Sequence, residues 1–420
     1  MAMAMWPCQV CPRGAAIFSD SVALNAMYDV ARMRNRRFLV MIGVALLLAG
    51  AVYALAPYAR AASLIVRAAD LGGRAEEFAN ARAHAVTAKA PHSVPTRHGE
   101  VAAQLYLPDV ETERTVLVMP GFNSFGIDEP RVVTLAKDLA GSGVAVMAMA
   151  LPDLQRFRLT PNATDVIEDT VAWMAARPDL APDDRVGVVG VSFTGGLAVS
   201  AVGRARVQDH VAFVVSLGGH GDLRRVLRYL ATGETPQVGL RSYPPHDYGV
   251  AVILNGLADR GVVPIEQVSA LREAVATYLL ASQLTVSDRQ AADRTFAKAR
   301  DMTMALPEPS RTYMMYVNDR AVDKLGAVLA PHLDQLGADD PALSPELAPP
   351  PAAPVYLLHG YDDNIIPAAE SVLLGDHLRE NGADVRVLLS GLITHAQASE
   401  SATTMDALKL ISFWADVLRQ

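Results

Sequence analysis

The chain has 420 residues, 51% hydrophobic and 20% charged, with a formal net charge of -8. That length and apolar content allow a large buried core and exclude an intrinsically disordered protein. The acidic balance, with no basic tract in the body of the chain, argues against a nucleic-acid partner.

Residues 1–37 read as an N-terminal tail on the cytoplasmic side. Within it Cys8 and Cys11 form a Cys-x-x-Cys pair, but no second pair or nearby histidine completes a zinc site. Neither a metal nor a cofactor is therefore expected. Residues 38–56 are 19 positions without a charge, about the length needed to cross ~30 Å of hydrocarbon as a helix. Arg32, Arg34, Arg36 and Arg37 precede them, and the positive-inside tendency then puts everything downstream on the far side. The expectation is a single-pass bacterial inner-membrane protein with an extracytoplasmic body. The competing reading is a signal peptide cut near Ala59-Arg60-Ala61, which would release a secreted protein.

After the apolar segment at 38–60, residues 61–92 are alanine-rich and read as a helical stalk. From Ser93 onward, strands and helices alternate, which signals a mostly parallel sheet with crossover helices. Strands are expected at 101–107, 115–119, 144–151, 185–191 and 211–217. Helices are expected at 129–140, N-capped by Asp128, and at 165–176. The alternation stops at residue 222. Residues 222–349 read as an insertion, helical in pattern to 340, and the chain returns from it through a proline-dense segment with Pro341, Pro345, Pro349, Pro350, Pro351 and Pro354. Strands resume at 355–358 and 385–389, with helices at 366–381 and 401–418. The catalytic core would thus be 93–221 together with 350–420.

Between the strand at 185–191 and a following helical run lies Gly190-Val191-Ser192-Phe193-Thr194-Gly195-Gly196. A strand, a sharp turn with serine at its tip, and a helix make the layout of a nucleophile elbow. A serine hydroxyl needs a base, and the base needs an orienting acid. Two later loops, each directly after a strand, supply them: His359-Gly360-Tyr361-Asp362-Asp363-Asn364-Ile365-Ile366-Pro367, and Thr394-His395-Ala396. The chain order is Ser, Asp, His.

On these motifs residues 93–420 resemble the α/β-hydrolases. The resemblance implies an eight-stranded-type sheet with flanking helices and a helical cap at 222–349. It implies Ser192 as nucleophile, Asp363 as acid and His395 as base, with Asp362 and Asp222 as rivals for the acid. His359 falls on a position that packs and bonds locally. The backbone N–H groups of Phe193 and Phe122 would form the oxyanion hole. Two departures stand out: Pro120-Gly121 replaces the frequent His-Gly, and Thr194 sits where Gly-x-Ser-x-Gly has its second glycine. His220, in Gly218-Gly219-His220-Gly221-Asp222, is expected to pin the start of the cap. The implied activity is hydrolysis of carboxylic esters of apolar acyl groups, on a small-molecule or lipid substrate. Amide, thioester and acyl-transfer chemistry use the same triad, and a non-catalytic binding protein is the reading from another class.

Overall fold

The structure is a computed structural model that describes residues 17–69, 72–393 and 404–420, with only the backbone for 17–40. Cys8, Cys11 and His395 lie outside the described residues. The chain divides into two units, 1–59 and 60–420.

The first unit carries most of helix α1 (Ile17–Ala68). The stretch Met41–Ala68 is long and apolar enough to cross a membrane. Over residues 41–59 none of its side chains is buried, and Leu46, Leu47 and Leu48 are each more than 60% exposed. A helix that is apolar on every face and not packed in a core is matched to lipid, where its backbone polar groups are satisfied internally.

In the second unit, α2 (Gly73–Asn80) precedes β1 (Val86–Ala88), β2 (His92–Thr96) and β3 (Gly99–Pro108). These are followed by β4 (Thr115–Met119), α3 (Pro130–Gly141), β5 (Ala145–Met149), α4 (Pro152–Gln155), α5 (Pro161–Ala175), β6 (Val186–Val191), α6 (Phe193–Val202) and β7 (Val211–Leu217). The helical insertion holds α7 (Leu223–Thr232), α8 (Asp247–Leu257), α9 (Val268–Ser287), α10 (Arg289–Ala305), α11 (Ser310–Asn318) and α12 (Val322–Leu329). β8 (Val355–Gly360), α13 (Ala369–Glu380), β9 (Val385–Ser390) and α14 (Thr404–Val417) close the unit.

Among the described residues the sheet has nine strands in the order β1-β3-β5-β4-β6-β7-β8-β9, with β2 paired to β3. β3 runs antiparallel to β1, β2 and β5, and every pairing from β5 through β4 to β9 is parallel. The parallel strands β4 and β5 are buried at every residue, as continuous apolar runs covered on both faces require. β3 instead alternates from Val101 to Leu105, as a strand with one wet face does. Pro95 sits in β2, which has β3 as its partner, where a strand tolerates the missing N–H. After β4 the chain steps outward to β5, then returns to the other side of β4 as β6. That reversal opens a crevice at the carboxyl ends of β4 and β6.

Local chemistry shifts several element boundaries from the sequence expectation. α3 is N-capped by Glu129, whose side chain accepts from the Val132 N–H, because Asp128 closes a short 3-10 turn instead. α5 begins at Pro161, at the first position where the lost N–H costs nothing. Upstream of Ser93 the chain already joins this unit. Ala61 and Leu64 are buried beside α3, Arg60 donates to the Ser142 carbonyl (2.9 Å), and Arg67 donates to the Asp138 carbonyl (2.6 Å).

The two chain crossings into the cap are tied together. His220 Nε2 bonds the Leu343 carbonyl (2.7 Å), the Glu346 N–H donates to the Gly221 carbonyl (3.0 Å), and the Leu223 N–H donates to Ser344 Oγ (3.1 Å). Arg225 lies between Glu346 and Glu370, with Nη1 2.7 Å from Glu346 Oε2 and Nε 2.8 Å from Glu370 Oε1. Glu370 is 1% exposed, and its Oε2 also accepts the Gly221 and Asp222 N–H groups at 3.0 Å each. Removing one member of such a network strands buried partners. Glu370→Ala is therefore expected to lose about 3–5 kcal/mol in urea unfolding, because Arg225 and two amides lose their acceptor together.

Candidate active site

β6 delivers the chain to Ser192, whose φ of 59° and ψ of -133° lie outside the regions favoured by a residue with a side chain. Such a conformation costs on the order of 1–3 kcal/mol and persists only where the surroundings fix it. Here they do. The Ser192 N–H donates to the Leu217 carbonyl on β7 (2.7 Å), and the Ser192 carbonyl accepts from the Gly195 N–H (2.8 Å). Glycine is required around it. A β-carbon at Gly190 would stand 2.2 Å from the Thr194 carbonyl oxygen, and one at Gly121 2.9 Å from Ser192 Cβ.

Thr194, at the unexpected position, is fully buried. Its Oγ1 accepts the Val191 N–H (2.8 Å) and reaches both the Met119 carbonyl (2.9 Å) and the Val191 carbonyl (2.7 Å). One hydroxyl proton serves one of those carbonyls at a time. The β-carbon therefore does not crowd the turn, and the hydroxyl ties the elbow to the end of β4. The glycine that the turn needs one place later is Gly195, where a β-carbon would meet Ser216 Oγ at 2.5 Å.

A strained serine at the carboxyl end of a central parallel strand, beside the sheet's switch point, settles the architecture. The chain has the α/β-hydrolase fold. No family model matches it, and no curated protein matches it. Among solved structures it is similar to a hyperthermophilic esterase from the archaeon Pyrobaculum calidifontis, at 15% identity over 86% of this chain and 90% of that one, with a TM-score of 0.45. It is also similar to brefeldin A esterase, described as a bacterial homologue of human hormone-sensitive lipase, at 14% identity over 80% and 79% with a TM-score of 0.45. A thermostable carboxylesterase from a metagenomic library matches at 14% identity over 80% and 90%, again with a TM-score of 0.45.

On this α/β-hydrolase sheet the register aligns Val191 with Leu217, Leu217 with Leu358 and Leu358 with Leu388. The loops after β6, β8 and β9 thus leave from one edge. Asp363 is 4% exposed, whereas Asp362 faces solvent. Asp363 Oδ1 accepts the N–H groups of Ile365 (2.9 Å) and Ile366 (3.0 Å), which fixes the carboxylate and delays α13 to residue 369. His359 is fully buried behind it, with Nδ1 2.7 Å from Ser371 Oγ and Nε2 2.8 Å from the Ile366 carbonyl. It braces the acid loop. Asp222 caps α7, accepting the Arg224 N–H at 2.7 Å. The loop carrying His395 is described up to Ile393. Its Ile393 carbonyl occupies the space a β-carbon on Gly360 would need, 2.2 Å away, so glycine lets this loop pass against the acid loop.

Two peptide units lie next to Ser192: the one that leads into Phe193, and the one that joins Phe122 to Gly121, whose Cα packs against the Ser192 side chain. Phe193 opens α6, so its N–H has no partner within the helix and carries the positive end of the helix dipole. The Gly121–Phe122 unit is oriented by Asn123, 2% exposed, whose Nδ2 donates to the Gly121 carbonyl (3.1 Å) while its Oδ1 accepts the Gly126 N–H (2.7 Å). In a trans peptide the Phe122 N–H points opposite to that carbonyl. Asn123 therefore sets the donor's direction. Sequence reasoning missed this residue, although a polar amide directly after the expected donor was an available signal.

The Phe122 and Phe193 rings stand 5.0 Å apart, and Phe193 packs 5.4 Å from His220. Burial lowers the pKa of His220, which keeps that ring neutral. Between the two phenylalanines and the cap residues Leu223, Leu227 and Ile253 lies an apolar cavity of about 40 Å³, with Arg158 and Arg260 at its border. The elbow's dependence on its threonine is testable. Thr194→Val, which keeps the shape and removes the hydroxyl, should cost about 1–3 kcal/mol in thermal unfolding because the half-buried Val191 N–H and the Met119 carbonyl lose a partner, whereas Thr194→Ser should cost less.

Proposed function

We propose that this protein is a serine hydrolase of carboxylic esters with apolar acyl groups. The observation that carries this reading is the strained, glycine-packed Ser192 beside two oriented peptide N–H groups. His395 takes the Ser192 Oγ proton as the oxygen attacks the acyl carbonyl, and Asp363 orients His395 and stabilises its charged form. The Phe122 and Phe193 N–H groups receive the developing negative oxygen. The tetrahedral intermediate collapses as His395 returns the proton to the leaving alkoxide, leaving an acyl-serine. Water then attacks that ester, giving its proton to His395, and the acid product leaves as Ser192 is re-protonated.

The cavity between Phe122, Phe193 and the cap fits a short acyl chain. The helix at 41–68 holds the enzyme at the membrane, and the arginines before it place the body on the extracytoplasmic side.

A fluorophosphonate probe should label the wild-type protein and fail to label Ser192→Ala. That variant should also lose at least ~10³-fold in turnover of a chromogenic ester, and His395→Ala should do the same. Unchanged hydrolysis by Ser192→Ala overturns the assignment. In an acyl-length series, acetyl and butyryl esters should exceed palmitoyl in kcat/KM. The reverse order would show that the acyl chain does not occupy this cavity.

A further inference from the structure

One cap residue reaches into the oxyanion loop. Gln283 lies near the end of α9, a helix seated in the cap by the buried Leu271, Val275, Tyr278 and Leu279. Gln283 Nε2 donates to the Phe122 carbonyl (3.0 Å), and its Oε1 accepts both the Ser124 N–H (3.2 Å) and the Ser124 hydroxyl (2.9 Å). A single side-chain amide therefore grips the two peptide units that follow the expected oxyanion donor. Asn123, itself part of the loop, holds the Gly121 carbonyl (3.1 Å), so the Phe122 residue is braced once from within the loop and once by the cap.

The same cap touches the acid loop. The His246 N–H, at the start of α8, donates to the Asn364 carbonyl next to Asp363 (2.8 Å). These contacts are separate from the Arg225 network that ties the start of the cap to the core. A side chain that only stabilised the cap would need no bonds to the one loop whose peptide direction matters for charge stabilisation.

We propose that Gln283 is a positioning residue that holds the Phe122 N–H on the reacting oxygen, so that the oxyanion hole is complete only while α9 is seated over the core. The inference rests on the hydrolase reading above. Loss of a whole oxyanion donor costs about 10²–10³ in kcat, and a loosened donor should cost part of that. Donors matter most where negative charge develops, so the loss should fall on kcat and not on ground-state binding.

The test uses Gln283→Leu and the isosteric Gln283→Glu, which keeps an acceptor for Ser124 and removes the donor to Phe122. Both should lower kcat by ~10-fold or more with KM within about threefold of wild type. Affinity for a trifluoromethyl ketone, which forms a tetrahedral adduct on serine, should fall by the same factor as kcat/KM. Combined with Asn123→Ala, the loss should be smaller than the product of the single losses, because both act on one loop. The proposal is overturned if Gln283→Glu keeps kcat within about twofold, or if KM rises while kcat and ketone affinity stay unchanged. It is also overturned if activity falls only in proportion to the folded fraction measured by circular dichroism. A wild-type protein without Ser192-dependent turnover or labelling would instead bring down the hydrolase reading itself.

Discussion

The rest of the site depends on keeping the backbone at Ser192 in a conformation it would not hold alone. The strain is opposed by bonds from three strands: the Leu217 carbonyl on β7, the Val191 N–H on β6 and the Met119 carbonyl on β4, the last two gathered by Thr194 Oγ1. Glycines at 121, 190 and 195 let these strands approach closely enough for those bonds to form. The elbow is thus a property of three strand ends and not of a five-residue motif. That is why a threonine is compatible with a place where glycine is usual.

Around this point the sheet order does the assembling. Because β5 and β6 lie on opposite sides of β4, the loops after β4 and β6 diverge from a common edge and leave the crevice in which Phe122 and Phe193 face each other. Asp363 is presented two strands away, its carboxylate fixed by the amides of Ile365 and Ile366. The cap belongs to the same mechanical unit. Its base is an ionic network centred on Arg225, and its far side bonds both site loops through Gln283 and His246. Bonded to the core through the Arg225 network and to both loops through Gln283 and His246, it ties its own position to the geometry of those loops.

Some of this was legible in the residue order. The strands at 115–119 and 211–217 lie where their nearly continuous apolar runs indicated, because burial on both faces leaves little room for polar positions beyond Thr115 and Ser216. The break in alternation at 222 marked the insertion. Boundaries drifted where a side chain competed with propensity, as when the Asp363 turn held residues 365 and 366 out of α13. β1 and β2 escaped notice because short edge strands carry little pattern of their own, and one contains proline.

The sequence by itself determined the alternating α/β layers, the apolar N-terminal helix, and a serine, an aspartate and a histidine placed in chain order, each after a strand. Those are local properties, written in hydropathy period, turn residues and spacing. Only the tertiary structure decided that Thr194 braces the elbow, that Asp363 and not Asp362 is buried, and that Gln283 reaches the loop that Asn123 braces from within. Each of these depends on contacts between residues far apart in the chain or on which way a side chain turns at a strand end. A hydrogen-bond partner brought in across 160 positions leaves no periodic trace in the sequence.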